Sequence, residues 1–220
     1  MIVAGLAVTS AVSSLTVGCT AQSTASSSPA PGTVNCSYHS AGTASRPVTP
    51  PPSTNVPATG TVAYVMKLNG GEVGLTLDRA AAPCAVNSFI SLAEQGFYDN
   101  TPCHRMGSEA PYQFLQCGDP DGNGQGGAGY EFDNESTGTE TYPAGTLAMA
   151  NKLQPGTQGS QFFLTFGDSA FSPDYTVFGT IDPAGVAVLK KAAVAGTDNA
   201  DGSGIGAPLT PVTISAVTPR

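Results

Sequence analysis

Apolar and polar residues alternate with a period of two across residues 61–78 of the chain. The apolar positions of this stretch are Val62, Tyr64, Met66 and Leu68, followed by Val73, Leu75 and Leu77. Asn69-Gly70-Gly71 separates the two halves, and Asn-Gly favours the tight turns that join antiparallel strands. Because successive strand residues point to opposite faces, this pattern predicts a β-hairpin with one buried face.

Two stretches show helical spacing instead. In the first, Pro83 suits an opening helical turn and Gly96 suits a C-terminal stop. Apolar residues between them recur at i, i+3, i+4 and i+7, namely Val86, Phe89, Ile90 and Ala93. The second stretch spans residues 184–195. We therefore expect two helices, each packing an apolar stripe on the rest of the domain.

The rest of the C-terminal two thirds consists of short apolar runs separated by glycine clusters. The chain has 220 residues with 40% hydrophobic content, which is enough for one sizeable core. The runs lie at residues 114–115, 146–150, 161–166, 176–181 and 212–217. Many short strands with two helices predict a mainly β domain, a closed β-barrel capped at its ends.

The first 19 residues have the character of an export signal. Residues 1–18 are small and apolar, too short a stretch to span about 30 Å of hydrocarbon but suited to a signal-peptide core. Thr16-Val17-Gly18-Cys19 resembles a bacterial lipobox, in which the cysteine is lipidated after cleavage. This predicts a lipid anchor at Cys19 on the extracytoplasmic face of the cell membrane. There are two alternatives to the lipid anchor. The segment could be an ordinary cleaved secretory signal, which would give a secreted protein, or a buried apolar strand.

Residues 20–60 are rich in Ser, Thr and Pro and include Pro50-Pro51-Pro52. Large apolar side chains are scarce, so burial of apolar surface cannot offset the conformational entropy that the segment would lose on becoming ordered. The composition predicts a disordered linker that tethers the domain of residues 61–218. Cys36, Tyr38 and His39 are exceptions, and we expect this short patch to dock on the domain through a disulfide rather than to bind a metal.

Charge narrows the range of functions. The net charge is −8, with 8 basic and 16 acidic residues, and every acidic residue lies after residue 60. Scattered basic residues do not form the clusters that nucleic-acid phosphates require, so no nucleic-acid partner is expected.

The Asp119–Asn123 stretch resembles a calcium loop, but Tyr130 stands where the twelfth-position Glu should be. No metal site and no cofactor are predicted.

Three groups of motifs point to one activity. Cys103-His104-Arg105 is followed by Leu115-Gln116-Cys117-Gly118-Asp119-Pro120, then by Ala150-Asn151 with Gly159-Ser160-Gln161-Phe162-Phe163, and last by Tyr175-Thr176-Val177-Phe178-Gly179. In this order and spacing the chain resembles the cyclophilin family of peptidyl-prolyl cis-trans isomerases over about residues 61–218. It is most similar to the actinobacterial membrane-associated group. The resemblance implies an eight-stranded antiparallel barrel, cofactor-independent catalysis and proline-containing polypeptides as partners.

The same resemblance assigns site residues by position. Arg105 takes the place of the catalytic arginine, Gln116 the glutamine beside it, and Phe163 the aromatic floor of the proline pocket. Phe114 matches the adjacent apolar wall of that pocket. The residues that match those holding the substrate backbone are Ala150, Asn151 and Gln161.

The chain also departs from the family pattern around the pocket. Gln113 falls where a second pocket Phe is usual, although Tyr112 could take its place. Phe171 is nearest to the usual pocket Trp, and Tyr175 replaces a His. A pocket altered in this way leaves a second hypothesis open, a binding module or holdase that retains proline-containing segments without turnover. We expect a monomer whose only membrane contact is the N-terminal lipid, acting on exported or envelope proteins.

The cysteines leave their pairing open. With Cys19 set aside for lipidation, Cys36, Cys84, Cys103 and Cys117 allow three connectivities. An oxidising cell envelope permits disulfides. If Arg105 and Gln116 share a face, strand alternation places Cys103 on that face and Cys117 on the other. This argues against a direct Cys103–Cys117 bond.

Overall fold

The computed structural model describes residues 1–4, 28–199 and 202–220. Cys19 and the predicted signal segment after residue 4 lie outside these ranges. The two helices are α1 (Pro83–Glu94) and α2 (Pro183–Ala193). The strands are β1 (Thr33–Val34), β2 (Tyr38–Ser40), β3 (Val56–Pro57), β4 (Thr61–Leu68), β5 (Gly71–Asp78), β6 (Thr101–Pro102), β7 (Arg105–Glu109), β8 (Tyr112–Cys117), β9 (Tyr130–Phe132), β10 (Thr146–Met149), β11 (Phe162–Thr165), β12 (Val177–Ile181), β13 (Ile205–Gly206) and β14 (Thr213–Pro219).

The β4–β5 hairpin confirms the alternation. Leu68 pairs with Gly71, so Asn69-Gly70 forms a two-residue turn. Tyr64, Met66 and Leu68 are buried in the main core, together with the apolar residues of β5. Alternation predicted this element because one face of the hairpin is buried along its whole length.

Both helices form where the sequence predicts them. Pro83 opens α1, and the buried face of that helix carries Val86 and Phe89. Asp182 precedes α2 and accepts a hydrogen bond from the Gly185 N–H at 2.7 Å, which satisfies one of the free donors of the first turn. The amphipathic stripes pack both helices on the sheet.

The main sheet is mainly antiparallel and curls into a half-barrel, but it is not the closed eight-stranded barrel that was expected. Ten strands follow the order β13-β7-β8-β11-β10-β12-β5-β4-β14-β6, and the two outermost strands do not pair with each other. These edges, β13 and β6, contain only two residues each. Strands that short carry no periodic signal, so the sequence pattern could not show how the sheet ends.

Residues 28–60 are not a disordered tether. We call this segment the strap. Its strands β1 and β3 pair with each other, and β2 pairs with β9 of the domain. A disulfide joins Cys36 to Cys84 at the start of α1, as the docking of the Cys36 patch predicted. The strap is held by hydrogen bonds, one covalent link and a few apolar side chains, among them Tyr38 and Val48 against the main core and the buried Val56. So few large apolar side chains leave its composition similar to that of a linker.

The second disulfide corrects another expectation, because Cys103 bonds to Cys117. A Cys103 side chain on the face of Arg105 would require the alternation of β7 to extend back to Cys103. Strand β7 begins at Arg105, and neither Cys103 nor His104 belongs to a strand. Outside a strand the alternation of side chains does not hold, so the Cys103 side chain is free to point toward Cys117.

Candidate functional site

Three neighbouring strands place the predicted catalytic residues in one row. Arg105 on β7 lies directly opposite Gln116 on β8, and Gln116 lies opposite Phe163 on β11. Directly opposed residues of antiparallel strands point to the same face of the sheet. Sheet register therefore brings together three side chains that are far apart in the sequence.

This row opens into a cavity of about 780 Å³. Nine of the ten residues predicted to bind or turn over substrate line it: Arg105, Phe114, Gln116, Ala150, Asn151, Gln161, Phe163, Phe171 and Tyr175. Only Gln113 is missing from the set. Cavities of this size are typical of sites that accept a small molecule or a short stretch of peptide.

A chain of hydrogen bonds fixes the arginine. An Arg105 Nη1–H donates to Gln116 Oε1 at 3.2 Å, and Gln116 Nε2 donates to Gln161 Oε1 at 2.8 Å. Gln161 Nε2 then donates to the carbonyl oxygens of Gly124 and Gly126, each at 3.0 Å. In both glutamines the amide oxygen accepts a hydrogen bond and the amide nitrogen donates one, so each amide has a fixed orientation. These linked hydrogen bonds hold the exposed guanidinium of Arg105 in one place.

Phe163 lies at the centre of the aromatic pocket, which we define as Phe114, Phe163, Phe171, Tyr142 and Tyr175. The Phe163 side chain is only 3% exposed. Its ring centroid lies 5.1 Å from that of Phe171 and 5.5 Å from that of Tyr175, with steep interplanar angles. Edge-to-face rings at these distances attract each other and build a rigid apolar wall. Arg105 Cζ lies 5.4 Å from the centroid of the Phe114 ring, which places the cation at the mouth of the pocket.

Tyr142 packs against the rings of the aromatic pocket without lining the cavity itself, and the sequence did not reveal it. Its hydroxyl donates to the Tyr175 carbonyl oxygen and accepts from the Tyr175 N–H, both at 3.0 Å. Burial raises the pKa of Tyr142 to about 12, so the hydroxyl stays protonated and can donate. Tyr142 lies outside every helix and strand, next to Pro143, and no periodic pattern marks it.

Gln113 is the one predicted binding residue that the structure places elsewhere. On β8 the alternation puts Tyr112, Phe114 and Gln116 on one face and Gln113 on the other. The Gln113 side chain packs closely over Gly167, where even a Cβ atom would clash with it. Tyr112 lies on the face of the aromatic pocket, with its ring centroid 5.1 Å from that of Phe171, but it does not line the cavity either.

Ala150 and Asn151 follow β10 and line the middle of the cavity. The Ala150 N–H donates to the Gln161 carbonyl oxygen at 3.0 Å. Asn151 Nδ2 donates to the Asp174 carbonyl oxygen at 2.9 Å, and Asn151 Oδ1 accepts from the Leu153 N–H at 2.9 Å. The Asn151 amide is thus used to fix the surrounding loops.

The end of the cavity away from the rings is built differently. We call it the glycine chamber, and it is lined by residues 41–43 of the strap, by residues 124–129, and by Lys152 and Leu153. Lys152 Nζ lies 2.5 Å from Glu131 Oε1 at its rim. Its walls are mostly backbone, so it offers peptide groups and space rather than aromatic surface.

His104 adjoins Arg105 in sequence but is not part of the site. It does not line the cavity, and its ring lies against Gly124. Burial lowers its pKa, and neither ring nitrogen has a hydrogen-bond partner. In the described parts of the chain no three His, Cys, Asp or Glu side chains are grouped to hold a metal ion.

Together these features define an open cavity with an aromatic pocket at one end and an exposed arginine at the mouth of that pocket. The sequence profile described as cyclophilin type peptidyl-prolyl cis-trans isomerase/CLD matches residues 63–218, and the chain belongs to this family.

Two mycobacterial relatives match over most of the chain. The probable peptidyl-prolyl cis-trans isomerase B of Mycobacterium leprae is 47% identical over 84% of this chain, and that of Mycobacterium tuberculosis is 45% identical over 83%. The alignments cover 66% and 63% of those proteins, so the chain spans slightly less than two thirds of each.

A solved structure shares the fold. The crystal structure of a cyclophilin type peptidyl-prolyl cis-trans isomerase from Cryptosporidium parvum superposes with a TM-score of 0.63 at 28% identity. The match covers 73% of this chain and 98% of that one. A second structure of the Cryptosporidium protein was determined in the presence of the dipeptide Ala-Pro.

Proposed function

We propose that the protein is a cofactor-independent peptidyl-prolyl cis-trans isomerase. The observation that carries this proposal is the position of Arg105, held by Gln116 at the mouth of a pocket whose walls are aromatic rings. Family membership and the mycobacterial relatives support the same activity. Proline-containing polypeptides are the substrates.

The protein has only to lower the barrier to rotation about one peptide bond. Amide resonance imposes a barrier of about 18–20 kcal/mol on rotation about a peptide bond, and an X–Pro bond exchanges uncatalysed over tens to hundreds of seconds. The twisted state loses resonance, and its lone pair localises on the prolyl nitrogen. An Arg105 N–H that donates to this nitrogen binds the twisted state more strongly than either planar state. Such differential binding lowers the barrier.

The rest of the site positions the substrate. The aromatic pocket of Phe163 receives the prolyl ring, which fixes one side of the bond that rotates. Gln116 orients Arg105 and is itself oriented by Gln161. Because these groups are held before the substrate arrives, little reorganisation is needed during rotation.

The decisive experiment is isomerisation of a chromogenic proline peptide by the full chain. Arg105→Ala should lower kcat by about a hundredfold, the typical effect of removing one transition-state donor, and change peptide affinity much less. Arg79→Ala serves as the matched control, because it removes an arginine that does not line the cavity. Equal rates for the wild type and Arg105→Ala would contradict the isomerase. Equal refolding assistance by both would then favour the holdase hypothesis.

We also propose that the protein is exported and anchored by lipid at Cys19, where it acts as a monomer on exported or envelope proteins. The apolar residues before Cys19 and the lipobox-like Thr16–Cys19 motif support this placement. Two disulfides support an oxidising compartment. Within the described residues, no helix is long and apolar enough to cross a bilayer.

Anchorage can be tested in an actinobacterial host. The wild type should partition with membranes, and its N-terminal peptide should carry the mass of acyl chains. Cys19→Ser should lose both properties. A wild-type protein found in the culture medium without an acyl chain would contradict the lipid anchor and favour plain secretion.

A further inference from the structure

Tyr175 forms one wall of the aromatic pocket, although it lies outside every strand and helix. Its side chain lines the cavity, and its ring centroid lies 5.5 Å from that of Phe163 and 5.7 Å from that of Phe171. The residue belongs to the connection between β11 and β12, so its backbone has no place in the ladder of the sheet. Its N–H and carbonyl groups therefore need other partners to keep the ring in place.

A single hydroxyl supplies both partners. Tyr142 Oη donates to the Tyr175 carbonyl oxygen and accepts from the Tyr175 N–H, both at 3.0 Å. A hydroxyl can do both at once, because it carries one donor and two acceptor lone pairs. The two hydrogen bonds lie on either side of the Tyr175 Cα atom, so together they fix the direction in which the side chain leaves the backbone.

Tyr142 is itself anchored to the sheet. Its side chain is 2% exposed, and its ring centroid lies 5.8 Å from that of Phe163. Its carbonyl oxygen accepts from the Ser169 N–H at 3.0 Å, and Ser169 Oγ accepts from the Gln113 N–H of β8 at 3.0 Å. Because the hydroxyl is fixed by these contacts, it determines the position of Tyr175 rather than following it.

The residues on either side of Tyr175 are held independently of that hydroxyl. The Asp174 carbonyl oxygen accepts from Asn151 Nδ2 at 2.9 Å, and the Thr176 carbonyl oxygen accepts from the Met149 N–H at 2.9 Å. The hydroxyl thus holds the middle of a segment whose two ends are already attached. Its loss should shift the Tyr175 ring without releasing the whole connection.

Tyr175 also lies close to the exposed arginine of the site. Burial raises the pKa of Tyr175, and the positive charge of Arg105 opposes this shift. Both side chains line the cavity, with the guanidinium at the mouth of the aromatic pocket. A shift of the Tyr175 ring would therefore change the shape of the pocket beside Arg105.

We propose that Tyr142 is a positioning residue that sets the affinity of the aromatic pocket for a prolyl ring by holding Tyr175 in place. The inference rests on the proposed function, which places the prolyl ring in that pocket. Tyr142 does not line the cavity, so it acts on the substrate only through Tyr175. Arg105 is held separately by Gln116, so the effect should fall on binding rather than on bond rotation.

The test measures kcat and KM for a chromogenic proline peptide, and its dissociation constant by calorimetry, in the full chain and in Tyr142→Phe. This substitution keeps the buried ring and removes only the hydroxyl. We expect KM and the dissociation constant to rise on the order of fivefold, the effect of losing one or two hydrogen bonds. The value of kcat should stay within about twofold, because uniform binding is what the hydroxyl supports.

Tyr38→Phe is the matched control. The Tyr38 hydroxyl also has two partners, since it donates to the Cys84 carbonyl oxygen at 2.9 Å and accepts from Asn87 Nδ2 at 3.0 Å, but Tyr38 does not line the cavity. Both variants should lose stability in urea, whereas only Tyr142→Phe should raise KM. A purely structural role for Tyr142 predicts the wild-type KM in both.

A second comparison shows whether the effect passes through Tyr175. Tyr175→Ala removes the ring and should itself raise KM. In that background Tyr142→Phe should change KM by less than about twofold, because residues that act through one contact are not additive.

The wild-type KM in Tyr142→Phe would overturn the proposal, as would an equal rise in Tyr38→Phe or fully additive effects of Tyr142→Phe and Tyr175→Ala. The dissociation constants keep this inference separate from the proposed activity. If the wild type binds proline peptides without isomerising them, the isomerase fails, whereas weaker binding by Tyr142→Phe alone would still support the positioning role.

Discussion

The aromatic pocket and the glycine chamber are two ends of one cavity built on opposite principles. At the aromatic end, buried rings pack against one another, with Phe163 at the centre. At the other end the walls are glycine backbone and a strap held by hydrogen bonds and a disulfide. The first surface has a fixed shape because its side chains are close-packed, and close packing tolerates little change.

The glycine chamber owes its shape to attachments that lie outside it. Gln161 binds the carbonyl oxygens of Gly124 and Gly126 from the side of Arg105, and Ser45 binds Gly127 from the side of the strap. Ser45 Oγ also donates to Asp121 at 2.6 Å. A change in the aromatic pocket should therefore affect stability and proline binding together, whereas a change in the strap should affect the walls of the glycine chamber and leave the aromatic pocket intact.

Phe163→Ala should have the largest effect on the aromatic pocket. Truncating a buried Phe costs roughly 3–5 kcal/mol of the free energy of unfolding, and it removes the floor on which the prolyl ring packs. We expect a marked fall in denaturation midpoint and in affinity for every proline peptide. Urea denaturation and calorimetric titration measure the two losses.

Phe163→Leu is the control for this change, since it keeps apolar volume but removes the aromatic face. It should recover most of the stability and only part of the affinity. If Phe163→Ala were as stable as the wild type, Phe163 would not be the centre of the packed cluster.

Opening the Cys36–Cys84 disulfide should act on the strap with a smaller cost. The bond closes a loop between residues 48 apart in sequence, and a loop-closing disulfide contributes typically 2–4 kcal/mol. The double variant Cys36→Ser with Cys84→Ser should remain folded, because neither cysteine is among the buried residues of the main core, although Cys84 packs against it. Its affinity for proline peptides should stay within about twofold, a change of less than about 1.4 kcal/mol, because the strap does not contribute to the aromatic pocket.

Limited proteolysis locates the change. In the wild type residues 36–60 should resist cleavage, and in the double variant they should be cut first. Early cleavage between residues 36 and 60 of the oxidised wild type would show that the strap is not held as described.

The sequence predicted the hairpin of residues 61–78 and both helices because each buries one face, and burial leaves a period in the apolar residues. Its motifs also singled out Arg105, Gln116 and Phe163, which the sheet register brings into one row. Their catalytic roles stay predictions. Tyr142 escaped notice since its role depends on a loop contact with Tyr175, which no spacing in the sequence encodes.

The sequence predictions for the strap and for the edges of the sheet were wrong for related reasons. The two-residue strands β6 and β13 form because of the strands they pair with, and they are too short to show an alternation of apolar and polar residues. The strap is ordered by partners distant in sequence, such as Cys84 for Cys36, and connectivity between cysteines cannot be derived from their positions alone. Gln113 was misplaced because a count from Gln116 ignored the face of β8 on which it lies.

The smallest predicted effect concerns His104, which lies against the glycine-rich loop at Gly124. Burial lowers its pKa below 6.5. Asp119 opposes this shift, whereas Arg105 adds to it. The pKa of His104 is thus lower in the folded chain than its ordinary value of 6.5 in the unfolded chain. Between these two pKa values the unfolded chain binds a proton more readily than the folded chain. Stability from the neutral ring is fully present above pH 6.5 and is lost as the pH falls through the folded-state pKa.

His104→Gln removes this titration without adding a charge, so the variant should lose less stability than the wild type as the pH falls from 7 to 5. Carboxylates such as Glu135, whose pKa is raised by burial, titrate alike in both proteins and cancel in the comparison. Hydrogen exchange at the Asn123 and Gly124 amides, which donate to Asp119, should show the loosening first in the wild type. Isomerase activity at pH 7 should be nearly unchanged, because the His104 ring does not reach the cavity. Parallel pH profiles for the two proteins would mean that His104 titrates as it does in the unfolded chain, and that the glycine-rich loop is not sensitive to its charge.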